Sequence, residues 1–128
     1  MKVKVSGNPG KEGFFTVTPH GPIDSDTYME FQNSLTPLLV GSTKGICIDL
    51  SDVDYISSAG LGVFFNANKI ISKNGASLIF SNLKPQIKRL FEIVKALPPE
   101  ILFENAAEAD AYFYKMMNEE IERQKEKQ

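Results

Sequence analysis

The sequence predicts an α/β fold: a mixed β-sheet of about four to five strands, an opening hairpin then β-α-β units, packed with about four helices. Three observations predict it. Two early runs of β-formers flank a cluster of turn residues. Two short apolar runs, at 45–50 and 77–80, alternate with stretches of helical periodicity, and those stretches carry capping and stop residues at their ends. A chain of 128 residues, 42% apolar, supports one core and is short for two. The expected organisation is therefore a single domain over 1–128, with a charged C-terminal helical tail from about residue 105.

The hairpin is expected at Lys2 to Ser6 and Gly13 to Thr18, around the turn formers of 7–12. Asp24, Ser25 and Asp26 offer capping side chains to a first helix marked by Tyr28, Phe31, Leu35, Leu38 and Leu39, with Pro37 as a stop or kink. Gly45 to Leu50 reads as a strand buried on both faces, with Cys47 as a buried free thiol. From Ser58 to Lys73, Leu61, Phe64, Phe65, Asn68 and Ile71 define a second helix closed by Asn74-Gly75. Ser77 to Phe80 reads as another inner strand. Pro85 starts a third helix through Ile87, Leu90, Phe91 and Val94, stopped by Pro98-Pro99. Ile101 to Phe103 suits a short last strand. Ala109, Phe113, Met116, Met117 and Ile121 mark a fourth helix whose charged end is expected to fray.

Composition removes several function classes. A net charge of −2 gives no global positive field for a nucleic-acid backbone or an anionic membrane. No run approaches the ~18 apolar residues of a membrane span, and the charged start lacks the apolar core of a signal peptide. With one cysteine, which has no internal partner for a bridge, a cytoplasmic protein is expected. His20 is the only histidine and is read as a turn residue. Asp49, Asp52 and Asp54 lack the glycine and glutamate frame of a calcium loop, so they read as solvated carboxylates. No metal or cofactor is expected. An enzyme is also disfavoured, since the run 58–62 lacks the lysine of a phosphate-binding loop and no histidine is placed with a nucleophile.

The densest signal is the run from Ile46 to Val63: a strand, a polar loop, then Ser57-Ser58 opening a helix. A phosphate at that point meets unpaired first-turn amides and the positive end of the helix dipole. Gly60 and Gly62 strip side chains from the first turn, which lets another macromolecule approach. The same residues also suit an ordinary cap with glycines that allow close packing. Chemistry alone leaves both readings open.

The stretch Asp49 to Val63 resembles the STAS domain of bacterial anti-sigma factor antagonists, whose pattern is a hydrophobic strand, a short loop and Asp-Ser-Ser/Thr-Gly-Leu-Gly. Gly21-Pro22-Ile23-Asp24 is similar to the family's Gly-x-Leu/Ile-Asp, and the segment from Lys73 to Val94 resembles its strand and following helix. The resemblance implies that Ser58 is the serine phosphorylated by a partner kinase and that Asp24 lies near it. Two positions differ: Ser57 stands where the family has an acidic residue, and Ala59 replaces the second Ser/Thr. Both bear on kinase recognition.

On this resemblance the chain is a switch that binds an anti-sigma factor acting as a serine kinase, and is released when Ser58 is phosphorylated. A phosphatase would reset it. The implied partner-binding residues are Asp24, Asp52, Asp54, Ser57, Ser58, Ala59, Gly60, Leu61 and Gly62. The alternative is a STAS scaffold or ligand-sensing subunit of a signalling or transport assembly that is never phosphorylated.

Overall fold

The opening hairpin forms where valines and threonines alternate, as β1 (Lys2–Asn8) and β2 (Lys11–His20). Both strands run longer than the sequence predicts, because the turn contracts to Pro9 and Gly10. A computed structural model describes residues 1–96 and 106–126. The predicted stop at Pro98-Pro99 and the predicted strand Ile101 to Phe103 lie outside the described residues. After the hairpin come α1 (Tyr28–Leu35), a 3-10 turn at Thr36–Leu38, β3 (Gly45–Asp49), α2 (Ser58–Ser72), β4 (Ser77–Ser81), α3 (Pro85–Ala96) and α4 (Ala106–Glu126). Pro37 ends α1 as expected by opening the 3-10 turn.

The sheet order is β1-β2-β3-β4, antiparallel between β1 and β2 and parallel across the other two pairs. Ile46 and Ile48 of β3 pair with Phe15 and Val17 on one side and with Leu78 and Phe80 on the other. That face carries the core. Val17, Ile48, Phe31, Leu35, Ile71 and Leu90 are fully buried there. Period-2 alternation sends Phe14, Cys47 and Ile79 to the opposite face, where Phe14 and Ile79 are exposed.

This asymmetry corrects two expectations. β3 is buried on one face only, and Cys47 is half-buried, its Sγ lying 3.3 Å from the Ser81 hydroxyl. Among the described residues β4 is the last strand of the sheet, and the strand expected at Ile101 to Phe103 lies outside them. The apolar composition of 46–48 and 78–80 does not distinguish one covered face from two.

α2 crosses the core face. Phe64 meets Phe31, Phe80 and Phe91 edge-on, at centroid distances of 5.5, 5.0 and 6.2 Å. The helix closes at Gly75, whose φ of +76° is the left-handed conformation that Asn74-Gly75 predicts. α4 is helical through Glu126. Glu120 accepts from Arg123 at 2.7 Å and from Gln124 at 3.0 Å, contacts one turn apart that tie down its last turns. Among the described residues, no helix is long and apolar enough to cross a membrane.

Candidate docking site at the start of the second helix

The loop from β3 to α2 is pinned to the chain that follows β2. Gly21 N–H donates to the Asp52 carbonyl at 3.0 Å, Ile23 N–H to the Tyr55 carbonyl at 3.0 Å, and Ser57 N–H to the Ile23 carbonyl at 2.9 Å. Ile23 and Ile56 form a parallel bridge, and both are fully buried. The residues that follow this bridge, Asp24 and the Ser57-Ser58 pair, are thereby brought side by side from distant parts of the sequence. His20 adds a tie from the end of β2, its Nδ1 lying 2.8 Å from Asp52 Oδ2. The sequence reading gave His20 no part here. Only the register between β2 and the loop reveals it.

Ser57 is the N-cap of α2: its backbone is extended and its hydroxyl accepts from Gly60 N–H at 3.3 Å. Ser58 is the first helical residue and is half-buried. The capping duty thus falls on Ser57. An anion attached to Ser58 would stand at the positive end of a 15-residue helix.

Three of the nine residues expected to meet a partner are interior. Ser57 is 2% exposed, Leu61 is 3% exposed, and Gly60 is buried. These three residues build the site from within and do not face outward. A Cβ on Gly60 would stand 2.8 Å from the Ile23 carbonyl oxygen and 2.8 Å from its Cγ2, so this glycine allows the helix to close on the Ile23 bridge. Gly60→Ala is expected to cost about 1–3 kcal/mol in urea denaturation, since backbone has to shift. A cost below about 0.5 kcal/mol would contradict this packing role.

The outward residues are Asp24, Asp52, Asp54, Ser58, Ala59 and Gly62, half-buried or exposed. A Cβ on Gly62 would meet nothing within 4 Å, so packing does not require that glycine and the helix backbone there is bare. Phe65, counted in the sequence among the residues that define this helix, is 57% exposed. Ser58, Gly62 and Phe65 fall at helical spacing along one outward stripe of α2. An aromatic next to a core phenylalanine looks like core in any sequence pattern; only the rotation of the helix shows otherwise.

The carboxylates hold separate positions. Asp24 Oδ1 accepts from the backbone N–H groups of Asp26 at 2.9 Å and Thr27 at 3.1 Å, fixing the turn into α1. Ser25 and Asp26, the other expected caps, are exposed, and Thr27 occupies the N-cap. Asp49 is held below its ordinary value of 3.8 chiefly by the Ser51 backbone N–H, with help from the Asn82 amide. Among the described residues, no cluster of three His, Cys, Asp or Glu side chains is arranged to hold a metal ion.

The STAS domain family model matches residues 8–109. An anti-sigma-B factor antagonist of Staphylococcus aureus (strain NCTC 8325 / PS 47) is 34% identical over 83 residues, 65% of this chain and 77% of that protein. An anti-sigma-B factor antagonist of Staphylococcus epidermidis is 30% identical over 82 residues, covering 64% of this chain and 76% of the relative. The structure of the anti-sigma factor antagonist SpoIIAA in its unphosphorylated form superposes with a TM-score of 0.60 at 12% identity, over 72% of this chain and 83% of that one, a likeness of fold. With the family pattern matched across most of its length, the mixed sheet in place and the serine pair opening α2, the chain belongs to the STAS domain family, among the anti-sigma factor antagonists.

Proposed function

We propose that this protein is a cytoplasmic, non-enzymatic switch that binds an anti-sigma factor acting as an ATP-dependent serine kinase, and that phosphorylation of Ser58 ends the contact. The observation that carries the reading is the division of labour at the start of α2. Ser57 caps the helix from the inside, while Ser58 begins an outward stripe continued by bare Gly62 and exposed Phe65. The relatives named as anti-sigma-B factor antagonists support the same role.

The docking face comprises the outward carboxylates Asp24, Asp52 and Asp54, with Ser58, Ala59, Gly62 and Phe65. A phosphate brings about −1.5 to −2 charges into this rim. Burying it against a partner carries a desolvation cost, and the neighbouring carboxylates add like-charge repulsion. No refolding is required, because the helix terminus accommodates an anion. The phosphoryl group comes from the partner's nucleotide, so this chain needs no catalytic residue. A phosphatase resets the hydroxyl.

The experiment incubates the protein with ATP and each purified anti-sigma serine kinase of its source organism, then maps added phosphate by mass spectrometry. Modification at Ser58, absent in Ser58→Ala, is the expected result. Binding without any modification at Ser58 would favour the scaffold reading.

A further inference from the structure

Most of α4 lies beyond residue 109, where the STAS match ends, yet α4 reaches back to the switch loop. Met117 is 2% exposed and anchors the helix. The Tyr114 ring stands edge-on to Tyr55, with centroids 5.9 Å apart at 65°. Tyr55 belongs to the loop that carries Asp52 and Asp54 into the docking face. Tyr114 is nevertheless 55% exposed, so one side braces the loop while the rest faces outward. An open crevice of about 630 Å³ runs between this loop, the start of α3 and α4. Its ionisable walls are Lys84, Lys125 and Asp54, with cations in excess.

We infer that α4 extends the docking face, and that Tyr114 and the Lys84–Lys125 crevice recognise the same anti-sigma partner that meets Ser58, through an apolar anchor and an acidic side chain. The inference rests on the reading of the previous subsection. Three features favour this occupant. The crevice is continuous with the proposed docking loop through the Tyr55–Tyr114 contact. Its charge complements an acidic segment. Tyrosine offers large contact area at small conformational cost, which is why it is enriched among residues that dominate interface affinity.

The test uses the full chain and calorimetric titration with each purified anti-sigma serine kinase of the source organism, singly. With the kinase that binds, Tyr114→Ala is expected to raise Kd about ten-fold or more, with an unchanged melting temperature. Lys125→Glu is expected to raise it about three-fold or more and to alter its salt dependence. Should Tyr114→Ala lower the melting temperature, the exposed Lys125 carries the test. Wild-type Kd in both variants, while Ser58→Asp loses binding, overturns the role of α4 and leaves the Ser58 reading intact. A concentration-dependent dimer disrupted by Tyr114→Ala, with kinase Kd unchanged, overturns it in favour of self-association. If the unsubstituted protein binds none of the kinases, both readings fall.

Discussion

Ser58→Asp is expected to weaken the complex with the anti-sigma kinase by roughly 30- to 100-fold, about 2–3 kcal/mol, while leaving the fold at least as stable as before. The two halves of this expectation come from the same position. Ser58 is the first residue of α2, where a carboxylate interacts favourably with the helix dipole, by about 0.3–1 kcal/mol. Ser57 retains the cap, its hydroxyl still accepting from Gly60 N–H. In the proposed complex, the same charge is expected to lose its water, which carries a desolvation cost. Ser58→Ala provides the contrast: it is expected to bind as tightly as the natural protein and to stay bound in the presence of ATP. Titration calorimetry and thermal melting of both variants check this together. A Ser58→Asp protein that melts earlier and binds weakly would point to disruption of the helix; equal affinity of the two variants would remove the electrostatic switch.

The second large effect is on stability. Phe64→Ala is expected to cost about 3–5 kcal/mol, a large share of the roughly 5–15 kcal/mol that holds a domain of this kind together. Phe64 is 2% exposed, and its ring meets three other phenylalanines, from α1, β4 and α3. Truncation removes the burial, the edge-to-face contacts and the filling of the space between α2 and the sheet. Phe65→Ala, one residue on, is the control. At 57% exposure its loss is expected to stay below about 1 kcal/mol by urea denaturation. Similar losses in the two variants would mean that α2 is rotated from the orientation described, and the outward stripe of Ser58, Gly62 and Phe65 would lose its basis.

The contrast between these neighbouring phenylalanines marks the limit of what a sequence pattern carries. The order of elements was legible, because helix and strand periods differ and proline, glycine and capping residues punctuate them. Pro85 at the start of α3, Gly75 after α2 and Pro37 after α1 all sit where their backbone preferences place them. The serine pair opening a helix was legible for the same reason. Cys47 was not, because a short apolar run looks alike whether one face of the sheet is covered or two.

By itself, then, the sequence determined the local periods, the punctuation and the resemblance that placed a candidate phosphoserine at a helix start. Tertiary structure alone decided which serine turns inward as the cap, that Gly60 is demanded by Ile23 whereas Gly62 is not, and that His20 and Tyr114 gather around one loop. The physical reason is range. Backbone propensity acts over a few neighbouring residues, whereas the Ile23–Ile56 bridge and the Tyr55–Tyr114 contact join positions whose proximity exists only once the sheet register and helix packing have formed.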